Sequence, residues 1–434
     1  MRDLVLAILI FGCVIRALSH PWIGILGWTV LSIMNLHQYT WALASMPVAA
    51  ALAIATMVGL LVSRDRPNFQ MSGEIAALLL FMLWVCITYV YSFSPEGSFE
   101  QLKKVMKIDL MILVALVALH SRKHILGLAW ALAGSIGFFG FKGGIFTILT
   151  GGAYRVWGPS TTYIEGNNEL ALALIVIIPI LRFLQLTITN RWGKHGLTSV
   201  MLLSAAAAMG THSRGALLAI AAMGLVLWWR SERKGLMGVL LVSMAVATVG
   251  LMPDFWFSRM ESISDYEQDA SALGRINAWW MAWNVATSNI FGGGFEIYNE
   301  ATFLLYAPVP NDIHAAHSIY FQILGEHGFV GLFLFLLIWG LVWRSAGKLR
   351  IQGRRQEETL WLSHLGAMCQ VSLAGYAVGG AFLSLAYFDL PYNLLVLVVL
   401  GRQWLDGKRW LVEAKAATTE PISGMRPATM NVMQ

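Results

Sequence analysis

Charge is what this sequence lacks. Only 12% of its 434 residues are Asp, Glu, Lys or Arg, whereas a water-facing domain of this size carries about 25%. That deficit excludes a solvated surface over most of the chain. Cysteine is equally scarce. Cys13, Cys86 and Cys369 each stand alone in an apolar block, which excludes a disulfide framework and a cysteine-based metal site. Segments of about ten residues with alternating polarity are missing, which excludes a membrane β-barrel. No basic stripe with interleaved aromatics occurs, so nucleic acid is not an expected partner. Walker and kinase motifs are missing, so no nucleotide cofactor is implied. Met1-Arg2-Asp3 runs into an apolar stretch without a convincing cleavage site, so no removable leader is expected. No internal repeat or low-complexity tract is visible.

What is there is apolar. Hydrophobic residues make up 57% of the chain, in blocks long enough to cross a bilayer, and the 18 Trp suit anchoring at headgroup level. Blocks of this kind read as spans at roughly 4–35, 43–62, 74–92, 105–120, 125–149, 168–188, 197–211, 213–229, 235–251, 328–343, 361–385 and 390–405. The expected fold class is therefore an all-α polytopic integral membrane protein with about twelve spans. Residues 1–251 hold the first nine, 252–327 form a long loop containing amphipathic helices, and 328–412 hold the last three. Residues 413–434 read as a polar, disordered tail. The first block is ambiguous between one broken helix and two short ones, because Arg16 and His20-Pro21 interrupt it.

The positive-inside rule orients the chain. With the N-terminus inside, the following fall on the cytoplasmic side: Arg64 and Arg66; Arg122, Lys123 and His124; Arg191 and Lys194; Arg230, Arg233 and Lys234; Arg344, Lys348, Arg350, Arg354 and Arg355; and Arg402, Lys408 and Arg409. Both termini are then cytoplasmic. Splitting the first block would leave these clusters inside and move the N-terminus out. The other face receives the 94–104 segment, whose Lys103 and Lys104 break the charge rule, then 151–168, the turn 210–215 and the long loop 252–327.

Cationic and titratable residues on that outer face are the candidates for chemistry, because topology does not explain them. Arg214 stands at the mouth of an apolar helix, where a lipid headgroup lies, and its planar fork suits phosphate oxygens. An arginine that merely snorkels is the plainer reading. Arg275 opens the amphipathic stretch 273–284, where it shares a helical face with Trp279, while Ile276, Trp280 and Trp283 make an apolar face. That stretch reads as an interfacial helix. Arg155 and His212 are further candidates. On a helix His314 and His317 share a face, yet a third metal ligand is not evident, so no metal is expected and either imidazole is a candidate general base. Tyr320 and Glu326 follow as secondary candidates. Glu261, Asp265, Glu267 and Asp269 read as a solvated face, and Gly292-Gly-Gly294 as a turn. Together these residues suit a single chemistry, in which guanidinium groups hold a lipid-linked diphosphate and an imidazole takes a proton from an incoming hydroxyl.

The pattern resembles the O-antigen ligase and polymerase superfamily of bacterial envelopes. The residues that carry the resemblance are Thr211-His-Ser-Arg-Gly-Ala-Leu217, Gly274-Arg-Ile-Asn-Ala-Trp279 followed by Asn289-Ile-Phe-Gly-Gly-Gly294, and His317-Ser-Ile-Tyr-Phe-Gln-Ile-Leu-Gly-Glu-His-Gly328. In the N-terminal half, Arg155-Val-Trp-Gly-Pro-Ser160 and Ile164-Glu-Gly-Asn-Asn-Glu-Leu170 resemble the branch described as O-glycosylation ligases of exosortase systems. The resemblance implies a periplasmic long loop and metal-independent, inverting transfer of a glycan from undecaprenyl diphosphate to an acceptor hydroxyl, lipid A-core foremost. It implies diphosphate contacts by Arg214 and Arg275 and a base role for His317. Family members often carry His-Asn where this chain has His317-Ser318, and His314 stands as a second base. A polymerase of lipid-linked repeats, a protein O-oligosaccharyltransferase of the same fold, and a polysaccharide or lipid transporter are the alternatives. Oligomeric state is not legible.

Overall fold

A computed structural model describes residues 2–41, 43–44, 46–63, 69–231, 233–250 and 270–411. Helix accounts for 79% of it, and no strand occurs among the described residues. In chain order the helices are α1 (Arg2–Ser19), α2 (Pro21–Met34), α3 (Val48–Val62), α4 (Gly73–Val90), α5 (Pro95–Ala118), α6 (Arg122–Leu149), α7 (Asn167–Thr187), α8 (Arg191–Gly210), α9 (Arg214–Arg230), α10 (Lys234–Gly250), α11 (Ala270–Ser288), α12 (Glu300–Tyr306), α13 (Ile319–Gln352), α14 (Leu360–Gly379) and α15 (Asp389–Asp406). Among the described residues, five segments are long and apolar enough to cross a membrane: Gly73–Val90, Arg122–Leu149, Asn167–Thr187, Ile319–Arg355 and Glu357–Phe382. The count of about twelve is larger because it admits shorter apolar blocks such as Val48–Val62.

α7 is the central helix. Ala171, Ile175 and Ile177 are completely buried, because apolar side chains surround the helix on every side instead of forming one stripe. α6 and α8 approach closely where small residues meet. A Cβ added at Gly144 would lie 2.3 Å from Leu203 O, and one added at Gly140 would lie 2.0 Å from Ser204 Oγ. Without a hydrophobic drive between helices in lipid, such small-residue seams bring backbones into contact.

The helix ends sort into two faces. At one, Arg409 donates to His120 O at 2.8 Å, Gln403 Nε2 donates to Gln70 O at 2.9 Å, and Lys123 lies 5.0 Å from the Trp22 ring centre. This is the basic face. At the other, Ser32 Oγ donates to Asp389 Oδ2 at 2.7 Å, Asn35 Nδ2 donates to Thr161 Oγ1 at 2.5 Å, and Asn167 Nδ2 donates to Thr211 O at 2.8 Å.

This sorting resolves the first block. The chain breaks at His20, and α1 and α2 fold back on each other, with a Cβ at Gly24 reaching 2.8 Å from Ala17 Cβ and one at Gly27 3.7 Å from Cys13. Pro21 causes the break, since it has no N–H to continue α1 and a φ suited to starting a new helix. Asp3 accepts from Trp41 N–H at 3.0 Å, beside the Asn35 end, while Trp22 sits at the basic face. Asp3 and Arg409 therefore lie on opposite faces, as two short helices in the first block imply. Residues 413–434 lie outside the described residues, as do Arg64, Arg66, Arg259 and the acidic residues 261–269.

Candidate functional site

The non-basic face gathers three pieces of chain around the start of α7. α8 ends at Thr211, and His212 adopts a left-handed φ of 57° that a residue with a Cβ rarely takes. Ser213 caps α9, its Oγ accepting from Ala216 N–H at 3.3 Å, so Arg214 occupies the first helical position. The 152–158 segment is laced to this turn: His212 Nε2 bonds Gly152 O at 2.9 Å, and Val156 N–H donates to Gly210 O at 3.0 Å. Arg155 is thereby carried beside the turn that bears His212 and Arg214. Asn167, in the first turn of α7, fixes the same turn through Thr211 O.

α11 organises the rest. The ring of His314 lies against its backbone, since a Cβ at Gly274 would fall 2.4 Å from His314 Nδ1. Buried Asn277 donates to Val309 O at 2.8 Å and to Asp312 O at 2.9 Å, and its Oδ1 accepts from Val309 N–H at 2.9 Å. Trp279 donates to Ala316 O at 2.7 Å and stacks on Phe321 with centroids 5.0 Å apart. These contacts hold residues 312–317 out of helical conformation. The same-face helical pairing expected of His314 and His317 is therefore corrected: the two histidines sit in extended chain ahead of α13. Ile276, Trp280 and Trp283 are exposed at 37%, 54% and 44%, as the periodicity expects.

His317 has a φ of 43°, and its backbone N–H donates to Ser384 Oγ at 3.1 Å. Strained backbone of this kind persists where its surroundings over-determine it. Burial, then Arg275, then His314 hold the His317 imidazole below its ordinary value of 6.5. Arg275 and both histidines therefore share one electrostatic neighbourhood, and Glu169 of α7 lies within reach of Arg275 as well. His314 Nδ1 is 3.0 Å from Asp312 Oδ1, without hydrogen-bond alignment. The link to Arg214 runs through the turn after α14, where a Cβ at Gly215 would lie 3.6 Å from Phe382 Cβ and Gly380 packs on Ile319. Tyr320 is a tie across the same turn, donating to Ala377 O at 2.8 Å.

Glu326 lies elsewhere. It is 5% exposed and sits in a buried cluster with Tyr387, His327 and Thr88. Thr88 Oγ1 lies 2.7 Å from His327 Nδ1, His327 Nε2 lies 2.7 Å from the Tyr387 hydroxyl, and that hydroxyl donates to Glu326 Oε2. Thr88, His327 and Tyr387 are buried with Glu326. Among the described residues, no three His, Cys, Asp or Glu side chains come together as a metal site would require. Asn277, Trp279, Glu169 and Ser384 were not among the expected site residues. The first three lie inside motifs already singled out, but Ser384 carries no local signal.

Residues 199–336 match the family described as O-Antigen ligase, a segment that contains Arg214, Arg275 and His317. Residues 1–189 match a family of unknown function (DUF5935). No curated protein matches the chain.

Proposed function

We propose that this chain, whose segment 199–336 assigns it to the O-antigen ligase and polymerase superfamily, is a ligase that transfers a glycan from undecaprenyl diphosphate to an acceptor hydroxyl, with lipid A-core the first candidate. The observation that carries the reading is the shared neighbourhood of Arg275 and His317 on the face away from the basic clusters, with Arg214 and Arg155 on adjoining turns. Residues 252–327 then act as a periplasmic loop in an inner-membrane protein. Assignment to the exosortase-associated branch rests on the 155–160 and 164–170 motifs alone.

In this mechanism Arg214 and Arg275 hold the diphosphate, with Arg155 at its edge. His317 takes the proton from the acceptor hydroxyl, and that oxygen attacks the anomeric carbon from the face opposite the diphosphate. The bond from that carbon to the diphosphate oxygen breaks, the configuration inverts, and the charge left on the diphosphate is spread over guanidinium groups. A depressed His317 keeps the imidazole neutral and able to accept a proton at neutral pH. His314 is the alternative base.

Purified protein in liposomes, given a lipid-diphosphate glycan, candidate acceptors and a chelator, tests this. His317→Ala is expected to slow transfer by about 10²-fold or more, and Arg214→Ala to abolish it, while both variants remain folded and inserted. Normal transfer by either variant removes that residue from its role, and loss of wild-type activity on chelation overturns the metal-free chemistry. A ladder of products from lipid-linked donor alone identifies a polymerase instead.

A further inference from the structure

At the basic face, the ends of α4, α13 and α15 part around a cavity of about 360 Å³. Arg344 and Lys348 line one wall from a single face of α13, Arg402 and Asp406 come from α15, and Glu74 and Ser345 lie inside. The charges are not equivalent. Arg402 is held by Asp406 at 2.8 Å and by Gln352, and Glu74, 8% exposed, accepts from Ser345 Oγ. Arg344 and Lys348 are exposed and make no ion pair among the described residues. The cavity thus offers two available cations at its mouth and a deeper carboxylate.

Topology accounts for arginine and lysine at a cytoplasmic helix end, but not for a recess that combines both signs. The surface above the recess completes the picture. Phe333 and Leu336 of α13 are 62% and 47% exposed and follow the same face as Gly340, Arg344 and Lys348. One helix face is therefore apolar for several turns and ends in cations at the cavity, which is the order of an acyl chain and its phosphate.

We propose that this cavity binds the headgroup of a membrane phospholipid bearing a primary amine, with its phosphodiester on Arg344 and Lys348 and its ammonium toward Glu74 and Asp406. An ammonium has three donors for the carboxylates. A choline headgroup has none, and a glycerol headgroup lacks the cation, so the amine is what the acidic side selects. The site is separate from the proposed transfer chemistry and stands independently of it.

The test uses full-length protein in nanodiscs containing equal amounts of ethanolamine, choline and glycerol phospholipids. Lipid retained after detergent extraction is counted by native mass spectrometry. Ethanolamine lipid is expected to be enriched over choline lipid by about tenfold, the worth of one charge-assisted hydrogen bond. The exposed double substitution Arg344→Gln/Lys348→Gln is expected to remove the enrichment at unchanged melting temperature, with Lys348→Gln alone as the milder variant if the pair misfolds. Glu74→Gln is expected to erase the preference for ethanolamine over glycerol lipid while phosphate-dependent retention persists. Equal retention of the three lipids, enrichment that survives loss of both cations, or displacement of the lipid by soluble phosphoethanolamine at matched concentration overturns the proposal.

Discussion

At the scale of single residues, His317 concentrates the functional argument. Its imidazole is held low by burial first, then by Arg275 and His314. A base with a depressed pKa is neutral across the physiological range and loses activity only when pH falls through that depressed value. The acid limb of the transfer rate is therefore expected below 6.5, the ordinary value for a histidine. Arg275→Gln removes one of the causes, so the limb should move up toward that ordinary value while overall activity falls. A pH profile of kcat/KM for wild type and variant checks both statements, and an acid limb at or above 6.5 in the wild type rejects His317 as the base. Arg214 is legible from the sequence because a cation at an apolar helix mouth contradicts the charge rule. The helical pairing of His314 and His317 fails for a physical reason. Asn277, thirty-odd positions away, captures the 309–312 backbone and keeps that chain extended, and such a capture is invisible to local periodicity. Ser384 is illegible for the same reason: its one relevant bond spans 67 residues.

At the scale of elements, α13 illustrates what a hydropathy pattern misses. The apolar block reads as a span from 328, yet the helix begins at Ile319 and bends at Gly328, whose φ is 67°. The glycine run 292–294 clasps this bend. Gly293 N–H donates to Gly325 O and Gly294 N–H to Glu326 O, both at 2.9 Å, and Phe93 N–H closes onto Gly293 O at 2.8 Å. A Cβ at Gly328 would also lie 2.4 Å from Ile290 O. Gly328→Ala combines strain with a backbone clash and is expected to cost on the order of 2 kcal/mol. Thermal unfolding in detergent should register it, and an unchanged melting temperature would show that the bend carries no constraint. The turn at 292–294 is legible from composition. What it grips is not, because the partner lies in another element.

At the scale of the whole molecule, the basic clusters are the most informative feature, since they sort the helix ends into two faces before any contact is known. They leave the first block undecided between one helix and two, and the packing of Gly24 on Ala17 decides it. A cysteine placed at Thr161 and one placed at Asp3 should then react with a membrane-impermeant thiol reagent from the same side of intact vesicles, while one at Lys408 should react only from the other. Shared accessibility of positions 3 and 408 would contradict the hairpin. The hairpin also has a consequence for how the chain is made. With the basic face taken as the cytoplasmic one, as proposed above, Asp3 lies on the far side, and α1 carries its leading residues through the bilayer before the rest of the bundle exists. Arg2 and Asp3 offset each other there, which lightens the load, and Arg16 stays behind as the brake that sets the direction of insertion.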